Sequence, residues 1–339
     1  MDDRLPTWRE AWQTALYGPS GFYRRQAPAA HFRTSVHASP LFAAALVRLA
    51  REAGLRRLVD VGAGRGELLT QVAGLDPDLD LVGVEVSGRP DRLPRRIGWV
   101  EEGSGRLARG AGSVTGYAEA ALVVANEWLD VVPCDVVEVD GHGRVRLLHV
   151  EPGTGREVLG GPPGAPAASW LRRWWDMTGA PAGARAEVGL SRDEAWAGLV
   201  DSASRSLLVA VDYDHRAGRR PAAGSLAGYR AGRQVPAVPD GTCDVTAHVA
   251  LDSCAAAGAA AGATSTVLTA QRPALLALGV DGRIPPYDLA LADPRAYVSA
   301  LGRAGEAAEL LRAGGLGGFG WLVQGVGVDV PEVLVSLAE

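Results

Sequence analysis

The sequence predicts an α/β fold in which helices cover both faces of a mostly parallel, doubly wound β-sheet. Three observations predict it. Apolar segments of strand length alternate with segments of helical spacing, a glycine-rich turn at residues 62–66 directly follows the first strand, and the next strand ends on an acid, Glu85. Near-continuous apolar strands that alternate with helices are typical of parallel sheets buried on both faces. Such a sheet binds its ligands at the carboxyl ends of its strands.

The N-terminal segment, residues 1–55, is predicted to be helical. Apolar residues recur every three or four positions over residues 7–17, which is the spacing of an amphipathic helix. Ser39 as the N-cap and Pro40 in the first turn begin a further helix, which ends at Gly54.

Residues 56–133 and 206–339 contain the alternation that builds the sheet. Strands are predicted at residues 57–61, 79–86, 97–100, 121–126, 207–212, 265–269 and 320–325. Helices are predicted at residues 67–74, 246–257, 273–278 and 294–312. The two segments are therefore expected to form one domain.

Residues 134–205 are predicted to be an insertion between two strands of this sheet. Two alternating apolar segments flank the turn at residues 140–143, and this pattern predicts a β-hairpin. A loop rich in proline and glycine, residues 152–168, leads to a helix that begins near Trp170, and a second helix is predicted at residues 192–204.

Composition is ordinary for a globular protein and does not indicate a metal centre. The chain has 339 residues, of which 47% are hydrophobic and 22% charged, and its net charge is −5. Three scattered cysteines and six histidines show no spacing typical of a metal site or of a disulfide framework. The arginines are dispersed, so no nucleic-acid surface is expected. There is no lysine, which excludes a lysine Schiff base, and the arginine-, alanine- and glycine-rich usage is typical of a GC-rich bacterium.

The glycine turn and two carboxylates form the first candidate site. Glycines in the pattern Asp60-x-Gly62-x-Gly64-x-Gly66 let backbone N–H groups approach a ligand, and Glu85 can accept hydrogen bonds from ribose hydroxyls. A dinucleotide site usually has Gly-x-Gly-x-x-Gly. The compact spacing, led by an acid able to bind an ammonium group, resembles the first motif of S-adenosylmethionine-dependent methyltransferases. An NAD or FAD site and a turn without a ligand are the alternatives.

A second candidate site follows the strand at residues 121–126. Asn126 is the only asparagine of the chain and ends this strand, and Glu127 and Asp130 come directly after it. Methyl transfer depends mainly on alignment of the acceptor with the methyl group. Paired carboxylates suit a guanidinium acceptor, because they bind its fork of N–H groups. The alternative is that Asn126 caps a helix and Glu127 lies on the surface.

Several segments together resemble the MidA-type family of S-adenosylmethionine-dependent methyltransferases, whose mitochondrial members assist complex I assembly and methylate a protein arginine. The resemblance covers nearly the whole chain. It rests on residues 17–23 (YGPSGFY), 32–42 (FRTSVHASPLF), 62–66 (GAGRG), 125–133 (ANEWLDVVP), 212–213 (DY), 244–249 (DVTAHV) and 271–279. Residues 125–133 are the most specific of these matches.

The sequence also departs from the family pattern. The family's Pro-Glu is Val36-His37 here, which removes a carboxylate expected at the cleft, and Asp60 replaces a glutamate. The family's Asp-Tyr-Gly is Asp212-Tyr213-Asp214, and its later histidine has no counterpart near Tyr229.

The resemblance implies a class I methyltransferase fold, a Rossmann-like sheet of seven mostly parallel strands with a helical N-terminal segment and an inserted hairpin and helical subdomain. It implies S-adenosylmethionine as the cofactor. The expected cofactor contacts are Asp60, Gly62, Ala63, Gly64 and Gly66 for the methionine part, Glu85 for the ribose, and Val86, Glu101 and Asn126. Glu127, Asn126 and Asp130 are the expected catalytic residues, and the insertion is expected to contribute to the acceptor site.

The favoured acceptor is an arginine of a partner protein. A small-molecule methyltransferase, a cofactor-binding assembly protein without activity and a nicotinamide oxidoreductase are the alternatives. The first residues contain no apolar core of signal-peptide length, and no apolar run is long enough for a membrane span. We therefore expect a soluble, cytoplasmic protein.

Overall fold

The computed structural model describes residues 5–25, 34–102 and 114–337. Residues 1–4, and Phe32 and Arg33 of the segment 32–42, therefore lie outside the described residues. The strands are β1 Arg57–Val61, β2 Asp80–Glu85, β3 Gly98–Glu101, β4 Ala121–Asn126, β5 Asp135–Val139, β6 Val145–Val150, β7 Glu157–Leu159, β8 Arg185–Val188, β9 Ser206–Asp212, β10 Ala227–Arg230, β11 Arg233–Val235, β12 Asp244–Thr246, β13 Ser265–Ala270 and β14 Gly320–Val326. The helices are α1 Trp8–Tyr17, α2 Phe22–Arg25, α3 Ser35–Ala38, α4 Pro40–Glu52, α5 Glu67–Leu75, α6 Ala165–Trp174, α7 Leu190–Asp201, α8 Leu251–Ala260, α9 Gln271–Ala277, α10 Tyr287–Ala292, α11 Pro294–Leu310 and α12 Glu332–Val335.

A seven-stranded sheet with the order β13-β14-β9-β4-β1-β2-β3 lies at the centre of the structure. Strands β1, β2, β3, β4 and β9 run parallel to one another, and β14 runs antiparallel to both β9 and β13. The predicted mostly parallel sheet is therefore confirmed. Its order places the carboxyl ends of β2, β1, β4 and β9 side by side at one edge.

Helices cover both faces of this sheet because its central strands are apolar on both sides. Alternate residues of β4 face opposite ways, as the pleat of a strand requires. Val123 and Ala125 belong to the core cluster that includes residues of α1, α7 and α8. Leu122 and Val124 belong to the cluster that includes residues of α4, α5, α9 and α11.

Residues 134–205 contain the predicted hairpin and two strands that the sequence pattern does not predict. β5 and β6 pair antiparallel across the turn at residues 140–143, and the small sheet has the order β7-β6-β5-β8. The interpretation of residues 152–168 as a loop is wrong at β7, which pairs with β6. Trp170 and Trp175 are buried in the core that this sheet forms with α6.

A second small sheet, with the order β11-β10-β12, lies between β9 and α8 along the chain. The sequence pattern predicts a helix from residue 246, whereas β12 extends to Thr246 and α8 begins at Leu251. The side chain of Asp244 on β12 accepts hydrogen bonds from the Tyr23 hydroxyl at 2.8 and 2.9 Å, and thereby ties this sheet to the N-terminal segment. None of the helices within the described ranges has the length and apolar character needed to cross a membrane.

Candidate functional site

A cleft of about 920 Å³, called the main cleft below, opens at the carboxyl ends of β1, β2 and β4. The glycine turn after β1 forms its floor, and residues of α3, α5 and the loop after β2 form its walls. This position is the one expected for the ligand of a doubly wound sheet.

The glycine turn has a backbone that only glycine adopts without strain. Gly62 has φ +73° and Gly66 has φ +77°, both in the left-handed region. A Cβ atom on Gly62 would lie 2.9 Å from Cδ1 of Trp128, and one on Gly66 would overlap Leu93. Two independent constraints, the dihedral angle and the neighbouring side chain, therefore require glycine at these positions.

The carboxylate of Glu85 is bound to the glycine turn. Its Oε2 accepts a hydrogen bond from the backbone N–H of Gly64 at 2.9 Å, and its Oε1 accepts one from the N–H of Val86 at 2.7 Å. Burial raises the pKa of Glu85, while these two hydrogen bonds oppose that rise. A carboxylate has about four lone-pair sites, so the Glu85 carboxylate can still accept a hydrogen bond from a ligand.

Asp60 lies below the glycine turn and lines the cleft. Its side chain is buried, and burial together with the carboxylates of Glu67 and Glu85 raises its pKa well above the ordinary value. Three acids close together favour a cation at this end of the cleft.

Glu127 follows β4 in a strained conformation, with φ +51° at a residue that is not glycine. Such strain is often found at functional sites. Its Oε1 accepts hydrogen bonds from Nδ2 of Asn126 at 3.3 Å and from the N–H of Ser35 at 3.4 Å. Burial, with a smaller contribution from the charge of Asp130, raises the pKa of Glu127 to about 8.

Asp130 lies three residues further on and is buried, whereas Glu127 is half-buried. Burial raises its pKa to about 6, against the opposing charge of Arg192. Arg192 is 1% exposed and donates hydrogen bonds to the backbone carbonyls of Val132, His248 and Asp130. The positive charge of Arg192 makes ionisation of the buried Asp130 side chain less costly than it would be without a nearby cation.

These raised pKa values predict that stability falls as the pH rises. The folded protein holds protons on Glu127 and Asp130 at pH values where the unfolded chain has released them, so the stabilisation is complete below about pH 4 and is lost as the pH rises through about 6 and 8. We expect the free energy of unfolding to decrease between about pH 5 and pH 8.5, by ~1.4 kcal/mol for each unit of pKa difference. Glu127→Gln should reduce this decrease. Urea unfolding at both pH values tests it, and identical pH dependence in both proteins would contradict the assignment.

Polar atoms without a partner concentrate in the main cleft. Among the described residues, six buried side-chain nitrogen or oxygen atoms have no hydrogen-bond partner, and four of them belong to residues that line this cleft. These four are Nε2 of His37, Oε1 of Gln71, Oδ1 of Asn126 and Oδ1 of Asp130. Because buried polar atoms are normally paired, this concentration indicates a polar ligand.

His37, which replaces the family's glutamate, does border the main cleft. Its Nδ1 lies 2.8 Å from the hydroxyl of Thr34, and its Nε2 lies 3.7 Å from Oε1 of Glu67. Oε2 of Glu67 in turn accepts a hydrogen bond from the N–H of Arg65 in the glycine turn. A carboxylate therefore remains near this position, contributed by α5.

Most of the residues predicted from the sequence meet in this cleft. Eight of them line it: Asp60, Gly62, Ala63, Gly64, Glu85, Asn126, Glu127 and Asp130. Gly66 and Val86 are adjacent to lining residues, whereas the exposed side chain of Glu101 at the end of β3 is not part of the lining.

The sequence pattern does not single out several further lining residues, among them Tyr23, Gln71 and Trp128. Trp128 lies within the Asn126–Asp130 segment and Tyr23 ends the segment 17–23, so their places in these segments were the available signals. Gln71 lies on the face of α5 that meets α3, where its Nε2 donates to the carbonyl of Val36 at 2.9 Å, and no local signal marks it. No group of three or more His, Cys, Asp or Glu side chains suited to a metal ion is present in the part of the chain that the structure describes.

Comparisons with known proteins agree with this geometry. Residues 84–269 match a family model described as "Putative S-adenosyl-L-methionine-dependent methyltransferase". A crystal structure of a COG1565 superfamily member from Burkholderia thailandensis, bound to S-adenosyl-homocysteine, is 25% identical with a TM-score of 0.75, over 99% of this chain and 92% of that one. A native structure of a COG1565 superfamily protein from the same organism gives the same identity and TM-score over 99% and 91%. No curated protein matches the chain.

Proposed function

Because the chain belongs to the MidA-type family of S-adenosyl-L-methionine-dependent methyltransferases, we propose that it methylates an arginine side chain of another protein. The observation that carries the choice of acceptor is the pair of carboxylates beside the glycine turn, Asp130, which is buried, and Glu127, which is half-buried. When bound, S-adenosylmethionine supplies a methyl group on a positively charged sulfur atom.

The main cleft suits this cofactor. In our proposal Asp60 binds the ammonium group of the methionine part, because its buried carboxylate lies among other acids. Glu85 binds the ribose hydroxyls with the lone pairs that Gly64 and Val86 leave available. Unpartnered polar atoms of His37 and Gln71 offer further hydrogen bonds on the opposite wall.

The end of β4 suits a cationic nitrogen acceptor. Burial makes the ionised forms of Glu127 and Asp130 costly, and an opposite charge within about 4–6 Å favours those forms. A guanidinium supplies such a charge, and its planar fork of N–H groups matches a carboxylate with two hydrogen bonds. Asn126 and the N–H of Ser35 orient the Glu127 carboxylate for this contact.

Transfer forms a nitrogen–carbon bond and breaks the sulfur–carbon bond, so the methylated nitrogen releases one proton. In our proposal the carboxylate of Glu127 accepts this proton. Its pKa of about 8 in the main cleft lies near neutral pH, where a group exchanges protons with solvent readily.

Transfer of labelled methyl groups into lysate of the source organism tests the proposal. We expect label in protein, identified as methylarginine after hydrolysis, and its suppression by excess unlabelled S-adenosylhomocysteine. Label on another residue type, or only in small molecules, would overturn the choice of arginine.

A further inference from the structure

A second cavity of about 500 Å³ lies further along the same edge of the sheet. Its walls come from Tyr213 after β9, His248 before α8 and Phe319 before β14, together with the turn after α11. The main cleft lies at the carboxyl ends of β1, β2 and β4, and β9 is the strand next to β4, so the two cavities occupy neighbouring positions on one edge.

One wall of the second cavity is aromatic. The rings of Tyr213 and His248 stack at a centroid distance of 5.4 Å and an angle of 17°, and Phe319 packs against Tyr213 at 4.1 Å. Burial lowers the pKa of His248, so its ring is neutral near neutral pH. This wall is suited to an apolar or aromatic group.

The charges at the rim of the second cavity do not favour an ion of either sign. Asp214 is paired with Arg216 at 2.8 Å, and Glu309 and Arg312 contribute one charge of each sign. A charged occupant would therefore gain little, whereas an apolar side chain would bury its surface against the rings.

The second cavity adjoins the proposed acceptor site. The N–H of Glu127 donates to the carbonyl of Val211 at 2.8 Å, and Tyr213 follows two residues later. After burial, the charges of Glu127 and Asp130 are the largest causes of the raised pKa of Tyr213, so its hydroxyl lies within their electrostatic reach. β14 lies two strands from β4, which is roughly 10 Å at about 4.8 Å per strand and corresponds to about three extended residues.

We infer that the second cavity binds a bulky apolar side chain of the acceptor protein, within about three residues of the methylated arginine. This inference rests on the proposed function. It makes the second cavity a determinant of specificity, because the arginine alone would not distinguish one acceptor protein from another.

The test uses two amidated heptapeptides with a central arginine, one carrying phenylalanine two residues to either side and one carrying serine there. Gly314→Trp plugs the second cavity, because a Cβ at Gly314 meets no atom within 4 Å and the residue has no positive φ. Gly302→Trp is the matched control, since Gly302 is equally open but lies in the middle of α11. Calorimetry measures peptide binding to each protein saturated with S-adenosylhomocysteine.

We expect the phenylalanine peptide to bind the original protein and Gly302→Trp at least about tenfold more tightly than the serine peptide. Gly314→Trp should lose this preference while its affinity for S-adenosylhomocysteine stays within about twofold. Equal binding of the two peptides, or a preference that survives Gly314→Trp, would overturn the inference. If methylarginine forms equally in the phenylalanine and serine peptides, the inference is also overturned, but the proposed function remains intact. A preference in binding without methyl transfer would support the second cavity and count against the proposed function.

Discussion

Replacing Glu127 with glutamine should lower methyl transfer about 100-fold and leave the affinity for S-adenosylhomocysteine within about threefold. The glutamine keeps the shape of the side chain but cannot carry the charge that binds a guanidinium or accept its proton. Hydrogen bonds to charged groups contribute about 1.5–3 kcal/mol each, so the loss of one such contact accounts for an effect of this size. Labelled transfer and calorimetry measure the two quantities separately.

Glu119→Gln is the matched control, because Glu119 precedes β4 and therefore lies at the opposite end of the same strand from Glu127. Its carboxylate is exposed and pairs with Arg205, and such a surface pair contributes little. Transfer by this variant should be unchanged. Full activity of Glu127→Gln would show that Glu127 does not act on the acceptor.

Replacing Glu85 with alanine should weaken binding of S-adenosylhomocysteine by at least about 100-fold. The substitution removes the proposed acceptor for the ribose hydroxyls and also the carboxylate that holds the N–H of Gly64 in place. Two charge-assisted hydrogen bonds of about 1.5–3 kcal/mol each support an effect of this size, since every 1.4 kcal/mol is tenfold. Calorimetric titration at constant pH measures it.

Glu101→Ala provides the comparison, because Glu101 ends the neighbouring strand and lies directly opposite Glu85 in the register of β2 and β3. Its side chain is exposed and is not among the residues that line the main cleft. If Glu101→Ala binds S-adenosylhomocysteine within about twofold of the original protein, then Glu85 and not Glu101 contributes to cofactor binding. A large loss in Glu101→Ala would instead support the contact between Glu101 and the cofactor that the sequence predicts.

The site residues that the sequence predicts lie close in the chain to the buried strands that reveal them. Asp60, the glycines after β1, Glu85 and the segment from Asn126 to Asp130 each lie in or directly after a buried strand, so an apolar run and its polar end stand together in the chain. The parallel arrangement of those strands then brings their ends to one edge of the sheet. The structure places these residues in one cleft for that reason.

The residues that could not be predicted depend on partners far away in the chain. Tyr23 and Asp244 are 221 residues apart, and Arg192 reaches the carbonyl of Asp130 from α7 across 62 residues. β7 forms only because β6 offers it backbone partners. No local pattern contains such contacts, since each is created when separate segments pack together.

The sequence by itself determined the fold class, the glycine turn and the identity of the carboxylates, because strand period, turn geometry and side-chain chemistry are properties of short segments. Only the tertiary structure decided which of these carboxylates are buried, that His37 lies beside Glu67 in the main cleft, and that a second cavity with one aromatic wall lies further along the same edge. The burial and the electrostatic environment of a residue depend on all the segments that pack around it. They therefore exist only once the strand order has placed those segments side by side.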